Sequence, residues 1–267
     1  MKKTGISYID PHDNDSFDQW AADEEKPTFL FAAPPSDGDI MGSESSETSE
    51  SAEPEQPESL PILPVRGLVI YPQTAVPLTI GQPRSIQLID EAVSSNKRLI
   101  GLVASRDPSK ESPDAEDLYQ WGTMGQVHRL FRAPDGTIRL LIQGISRFKI
   151  EAFTQSEPYI HARITHAPEI IESGIEIEAL SRNTRDLFES IAKLIPSIPQ
   201  ELVDSIIAIQ DPLQAAYTIA NFQHMEIEEA QEILELDCLS EKLKKLNAIL
   251  TREEEVLQLG QKIQDEA

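Results

Sequence analysis

The chain has 267 residues, enough for one or two domains, and a formal net charge of −23. Nucleic acid is therefore not a predicted partner, because phosphate contacts need a basic face and an acidic surface repels polyanions. A local basic patch would still be compatible with this charge. The charge is uneven, since residues 1–59 hold 15 Asp and Glu against three Lys.

Cysteine content and hydropathy exclude further classes. Cys238 is the only cysteine, which rules out an intrachain disulfide and a cysteine-based zinc site. We expect a buried or idle thiol rather than a nucleophile. No apolar run approaches the roughly 20 residues that span a bilayer, and the amino terminus lacks the apolar stretch of a secretory signal. The sequence predicts a cytoplasmic protein with no membrane partner.

Residues 1–58 read as a disordered acidic tail. The stretch from Ser36 to Ser59 is mostly Ser, Glu, Asp and Pro, a composition that cannot bury enough apolar surface to offset chain entropy. A few apolar residues are scattered among the acids. They are either incidental or a short docking motif that folds on a partner, and they comprise Phe17, Trp20, Phe29, Leu30 and Phe31.

Proline interrupts the next segment, Leu60 to Ile80 (LPILPVRGLVIYPQTAVPLTI). Because proline cannot donate to a sheet ladder, strands in this segment must be short, bulged or at a sheet edge. A helix follows, with Pro83 in its first turn and apolar residues at helical spacing from Ile86 to Val93. An apolar strand over 98–104 and a polar, mobile loop over 105–117 are expected next.

Apolar residues alternate with polar ones through much of the region up to residue 168, which predicts half-buried antiparallel strands. The alternation is clear around Ile138 to Ile142, Phe148 to Ala152 and Ile160 to Ile164. Between Phe131 and Ile138 lies Ala-Pro-Asp-Gly, in which proline presets one turn angle and glycine supplies a positive φ. The sequence therefore predicts a β-hairpin at this point.

After Gly174 the apolar period changes to 3.6, so the remainder should be helical. A first helix should end near Pro196, and shorter helices are expected around 200–209, 212–222 and 226–236. Asp211 reads as an N-cap residue followed by proline at the first helical position.

The last predicted helix begins near Ser240 and carries a heptad-like pattern, which is typical of a long helix packed on partners or entering a coiled coil. It reaches Ala267 without a glycine cap or proline. Natural helices usually end with such a signal, so we expect this sequence to be cut from a longer chain.

Motifs for known catalytic chemistry are missing. No glycine is followed by lysine, so the phosphate-binding loop G-x-x-x-x-G-K-[ST] is absent, and neither G-x-S-x-G nor H-E-x-x-H occurs. A serine–lysine dyad stays possible because its partners meet only in the fold. His161 and His166 are five apart in one strand and should point to opposite faces. No catalytic residue, metal site or cofactor is predicted.

A binding surface remains as the candidate functional feature. Strands broken by proline expose edges, and exposed edges pair with extended peptide. Tyr71, Leu130 and Phe131 are the candidate peptide-binding residues, because apolar side chains at strand ends could lie beside such an edge. The alternative is that they pack in the core or at its rim.

Two stretches of the chain carry a recognisable pattern. The first is LPILPVRGLVIYPQTAVPLTIGQPRSI, and the second is EDLYQWGTMGQVHRLFRAPDGTIRLLIQGISRFKI. Both resemble the amino-terminal domain of Lon proteases. The second contains Gly122-Thr123, Pro134-Asp135-Gly136, Gly144 and Arg147-Phe148. The final helix (LSEKLKKLNAILTREEEVLQLGQKIQ) is also similar, so the resemblance runs from about residue 60 to the end.

The resemblance implies an α+β fold. A β-rich, PUA-like pseudobarrel lobe with one helix would cover 59–168, and a helical lobe ending in a long helix would cover 169–267. It also implies recognition of unfolded or tagged protein substrates and self-association in a hexamer, as the front part of an ATP-dependent serine protease. The ATPase and protease modules of that family have no counterpart here. The alternative is a stand-alone Lon-type binding or adaptor protein.

Overall fold

A computed structural model describes residues 7–8, 57–95, 97–195, 197–223 and 225–265. Most of the tail predicted to be disordered, including its apolar residues, lies outside these ranges. The described residues form an α+β fold with a β-lobe (residues 59–168) and a helical lobe (residues 169–265). The β-lobe carries one α-helix and the helical lobe ends in a long helix, which confirms the predicted fold class.

Among the described residues, the sheet of the β-lobe has seven strands, six from residues 59–168 and one, β1, from residues 7–8. Helix α1 (Pro83–Ser94) begins at the expected proline. The strands are β1 (Ser7–Tyr8), β2 (Ser59–Val65), β3 (Ala75–Ile80), β4 (Leu99–Ala104), β5 (Trp121–Arg132), β6 (Ile138–Gln155) and β7 (His161–His166). A 3-10 turn over Ala115–Asp117 interrupts the polar loop, in which the Lys110 ammonium pairs with Asp114 and Asp117.

Strand β6 closes the sheet on itself because its 18 residues are long enough to pair with three neighbours. Its first half pairs with β3 on one side and β5 on the other, and its second half pairs with β7. Since β5, β4, β2 and β7 are paired in that order, the strands complete a ring. Strand β3 stands outside the ring, and its far edge pairs only with the two residues of β1 among the described residues.

The turn between β5 and β6 has the predicted geometry. Arg132 pairs with Ile138, and the Gly136 amide donates to the carbonyl of Ala133 over 3.0 Å. Gly136 has a φ of 86°, which glycine adopts without a steric penalty. The Asp135 carboxylate also accepts from the Thr137 amide over 2.9 Å. The predicted hairpin is confirmed.

The described residues from 169 onward form five helices at nearly the predicted positions. Asp211 caps the third by accepting from the Gln214 amide over 2.8 Å. The helices are α2 (Ile175–Leu194), α3 (Gln200–Ile207), α4 (Pro212–Phe222), α5 (Ile227–Glu235) and α6 (Leu239–Asp265). Helix α6 packs along α2. It also buries an apolar stripe that includes Leu239, Leu243, Leu246 and Leu250, all at most 1% exposed.

Two hydrophobic cores organise these elements. One lies between α1 and the adjacent β-sheet, and it includes Leu78, Leu88 and Ile142. The other runs continuously from the β-lobe into the helical lobe, joining residues such as Ile62 and Phe148 to Phe188 and Leu246. Because the second core is shared, the two lobes bury apolar surface together.

Candidate functional site

The outer surface of the β3–β6–β5 sheet is the candidate site, because it carries one of the residues predicted from sequence. Directly paired residues in antiparallel strands share a face. One face, containing Val76, Leu78, Leu140 and Ile142, is buried against the core. The other carries partly or fully exposed side chains, and we call it the outer face: Ala75, Pro77, Thr79, Arg129, Phe131, Arg139, Leu141 and Gln143.

The structure separates Leu130 from Phe131. Leu130 pairs with the buried Leu140 and packs at the rim of the core, whereas Phe131 lies opposite Arg139 on the outer face and is 55% exposed. A β-bulge between Val127 and Arg129 sets this arrangement, because the extra residue reverses the alternation of faces. Phe131 is thus accessible to a ligand, and Leu130 is largely a packing residue.

Tyr71 does not belong to the outer face, because its side chain is only 1% exposed. Its hydroxyl donates to the carbonyl of Ala230 over 2.9 Å, and burial raises its pKa well above the ordinary value. No ligand can reach the ring in this structure. Tyr71 therefore joins the two lobes, and Phe131 is the predicted site residue that the fold presents to solvent.

The outer face combines apolar contact area with the positive charges of Arg129 and Arg139, of which Arg139 also interacts electrostatically with the Asp135 carboxylate. Pro77 and Leu141 lie side by side, and Phe131 is the diagonal neighbour of Leu141. Within the described parts of the chain, neither Arg129 nor Arg139 has a carboxylate within ion-pair distance. Such a surface suits an extended polypeptide with apolar and acidic side chains.

Sequence reasoning missed a second exposed apolar group, in the connection between the lobes. Ile170, Ile171 and Ile175 are 56%, 61% and 85% exposed. Backbone hydrogen bonds fix this connection to the start of α6. The Ile170 amide donates to the backbone carbonyl of Asp237 over 2.9 Å, and the Ile170 carbonyl accepts from the Leu239 amide. Three isoleucines among glutamates were the available signal. Sequence alone does not reveal that tertiary contacts leave them uncovered.

A buried arginine holds the lobes together at the end of α5. Arg147 is 1% exposed, and one of its terminal nitrogens donates to the carbonyls of Leu234, Glu235 and Leu236 at 2.8–3.0 Å. The other terminal nitrogen binds the Asp237 carboxylate at 2.5 Å. Arg147 thus satisfies the carbonyls that a helix leaves free at its carboxyl end. Both residues of the Arg147-Phe148 pair, which is part of the resemblance to Lon domains, are buried and stabilise the fold.

Lys242 lies beside this junction and is 0% exposed. Its ammonium donates to the carbonyls of Ile233 and Leu234 at 2.7 and 3.1 Å. Burial, and secondarily the charge of Arg147, lowers its pKa to about 7. The carboxylates of Glu169 and Asp237 oppose that shift. The protonation state of the buried Lys242 therefore changes near neutral pH.

Metal and nucleophile sites find no support in the described ranges. No group of three or more His, Cys, Asp or Glu side chains there could hold a metal ion. Burial first, and nearby carboxylates second, raise the pKa of the Cys238 thiol, which keeps it protonated. No helix in the described part of the chain is long and apolar enough to cross a bilayer.

Two glycines of the stretch that resembles Lon domains lie where no side chain would fit. A Cβ atom on Gly144 would lie 2.2 Å from the Tyr71 carbonyl oxygen, and one on Gly122 would lie 2.5 Å from that of Leu102. The Thr123 hydroxyl donates to the Ile70 carbonyl over 2.6 Å. These residues allow the strands to pack closely. Because they are buried, they are not candidates for ligand binding.

Comparison with known proteins places this fold in a family. Residues 59–252 match the family model described as the ATP-dependent protease La (LON) substrate-binding domain. The chain is 43% identical over 205 residues to a Lon protease of Dictyoglomus thermophilum and 41% identical over 210 residues to Lon protease 1 of Herpetosiphon aurantiacus. Each match covers 77% of this chain and 26% of the relative, so the chain spans about a quarter of the relatives' length.

Solved structures support the same fold. The amino-terminal domain of a Mycobacterium avium complex Lon protease aligns with a TM-score of 0.58 at 23% identity, covering 72% of this chain and 98% of that domain. A Lon amino-terminal domain protein from Xanthomonas campestris aligns with a TM-score of 0.51 at 16% identity, covering 71% and 97%. The chain belongs to the Lon amino-terminal substrate-binding domain family.

Proposed function

We propose that this chain binds unfolded or damaged protein segments, as the substrate-recognition part of an ATP-dependent Lon-type serine protease. The match of residues 59–252 to the Lon substrate-binding domain carries the proposal. We also propose that the whole protein has ATP-dependent catalytic modules and assembles into a hexamer. This chain spans only about a quarter of the length of its relatives, so the modules would lie outside it.

The outer face is the proposed contact surface. Unfolded polypeptide differs from folded protein in offering exposed apolar side chains and free backbone groups. Exposed apolar side chains of the polypeptide can contact the apolar area of Phe131, Pro77 and Leu141. Its free backbone groups can form hydrogen bonds with the far edge of β3. Arg129 and Arg139 would favour segments without excess positive charge.

A stand-alone binding or adaptor protein would use the same surface. Phe131 and β3 both belong to the chain itself, so this surface does not require catalytic modules to form. The two candidates differ in what happens to the bound polypeptide, which is degraded in the first case and only held in the second. Binding is therefore the property to test first.

The test measures the affinity of a fluorescently labelled, carboxymethylated and permanently unfolded protein by anisotropy. Phe131→Ser should weaken binding about fivefold, because covering the exposed half of a phenylalanine contributes about 1 kcal/mol. Val256→Ser is the matched control, since Val256 is 60% exposed but lies on α6. If both variants and the parent protein bind with equal affinity, the outer face is not the contact surface. If none of them binds the unfolded protein, the proposed binding function is wrong.

A further inference from the structure

The free edge of β3 already holds a partner from the same chain. In β1, Ser7 pairs with Thr79 and Tyr8 with Leu78 in antiparallel register. The other edge of β3 is fully engaged, with six consecutive residues paired to β6. A short segment near the amino terminus therefore lies where an additional extended strand would join the sheet.

Strand alternation shows which backbone groups face this edge. The Gly144 amide donates to the Thr74 carbonyl over 2.8 Å, so the backbone groups of Thr74 point toward β6. Because the direction alternates along a strand, Val76, Leu78 and Ile80 also face β6, and Ala75, Pro77 and Thr79 face the free edge. This assignment is consistent with Pro77, whose missing N–H is tolerated on the open side of an edge strand.

The same alternation makes the docked strand short. Thr79 offers both an N–H and a carbonyl to Ser7, whereas the next edge-facing residue, Pro77, offers only a carbonyl. A ladder extended toward the start of β3 thus loses one donor. Within the described residues few hydrogen bonds hold β1 in place, so another extended strand can displace it at low free-energy cost.

We propose that Ser7–Tyr8 is an intramolecular competitor for the strand-addition site on β3, and that an extended substrate segment must displace it. The inference rests on the proposed function, because the competing ligand is the unfolded polypeptide. The edge borders Pro77 on the outer face, so a displacing strand would gain apolar contacts that the edge alone does not supply. The amino-terminal segment would then lower the affinity for weak ligands and leave strong ones bound.

Two proline variants separate this proposal from a general effect of the tail. By alternation, the Ser7 N–H points at Thr79 and the Tyr8 N–H points away from β3. Ser7→Pro removes a donor of the ladder, and Tyr8→Pro removes none, so the latter is the matched control. Both proteins are tested as the full 267-residue chain.

The first readout is hydrogen exchange at the Thr79 amide without any ligand. We expect protection in the parent protein and in Tyr8→Pro, and rapid exchange in Ser7→Pro. The second readout is affinity for the carboxymethylated unfolded protein, which should rise about fivefold in Ser7→Pro only, since the competent state is then always open.

The outcomes distinguish failure of the competition from failure of the proposed function. An unprotected Thr79 amide in the parent protein would overturn the docked strand, whatever the affinities are. Protection lost in Ser7→Pro with unchanged affinity would overturn the competition and leave the proposed function intact. If the unfolded protein binds none of the variants, the proposed function fails and the competition fails with it.

Discussion

The ring of Tyr71 in the β-lobe stacks on the ring of Tyr217 in the helical lobe, with 5.2 Å between centroids and 17° between planes. Both side chains are at most 1% exposed. The Tyr217 hydroxyl donates to the Glu169 carboxylate over 2.6 Å, so each ring is held by a hydrogen bond as well. This pair lies in the core shared by the lobes and couples their stability.

Truncation of Tyr71 should therefore weaken the whole fold. We expect Tyr71→Ala to lower the free energy of unfolding by about 3–5 kcal/mol, as for other buried aromatic residues. Tyr71→Phe should cost about 1 kcal/mol, because it leaves the Ala230 carbonyl without its donor. Urea denaturation followed by circular dichroism measures both. A neutral Tyr71→Ala variant would contradict the buried position.

Replacement of Arg147 should separate the end of α5 from the β-lobe. Arg147→Met leaves the carbonyls of Glu235 and Leu236 and the Asp237 carboxylate without this donor, whereas the Leu234 carbonyl keeps Lys242. We expect a loss of about 3–5 kcal/mol in the free energy of unfolding. Arg129→Met is the control, because Arg129 is exposed and should change stability by at most about 0.5 kcal/mol. Similar urea midpoints for the two variants would refute the role of Arg147.

Protonation of Lys242 should make stability depend on pH. Its pKa is lowered from 10.5 to about 7 in the folded protein, so between these values the unfolded chain binds more protons. Stability should then rise with pH above about 7, by up to about 1.4 kcal/mol per unit. Below pH 7 the lysine is protonated in both states and contributes no slope.

The comparison with Lys242→Met isolates this effect from other groups that titrate. The raised pKa of Cys238 opposes the trend only as pH approaches 9, so the window of interest is pH 7 to 8.5. Urea denaturation at several pH values should give a positive slope in the parent protein that the methionine variant lacks. Parallel pH profiles would show that Lys242 does not titrate there.

Glycine substitutions should distinguish close packing from open space. Gly144→Ala would place Cβ against the Tyr71 carbonyl and should cost about 2 kcal/mol. Gly260→Ala is the control, because nothing lies within 4 Å of its added Cβ in α6. It should stabilise the protein by about 0.5–1 kcal/mol through helix propensity. Thermal unfolding of the two variants should shift in opposite directions.

The hairpin turn gives a milder test of backbone conformation. Gly136→Val should lower the free energy of unfolding by about 1 kcal/mol or more, since a β-branched residue is strained at a φ of 86°. Nothing lies within 4 Å of an added Cβ, so the expected loss is attributed to backbone strain. An unchanged melting temperature would mean that the turn relaxes without cost.

Local patterns in the sequence predicted most of the elements and the family, but not β1, which lies in the tail predicted to be disordered. Pro83 and Asp211 mark helix starts, and Gly136 marks the hairpin, because these residues act through their own backbone and nearest neighbours. Alternation between Ile138 and Ile142 likewise identified the buried face of β6. These features follow from short-range chemistry.

The candidate site, by contrast, depends on contacts between distant parts of the chain. The bulge at His128 exchanged the faces of Leu130 and Phe131, and closure of the sheet buried Tyr71 against Tyr217 of a helix in the other lobe. Exposure depends on which distant segments cover a side chain, and no local period encodes that. Short-range patterns therefore predicted the helices, the family and every strand but β1, whereas long-range packing determined which apolar residues remain available for binding.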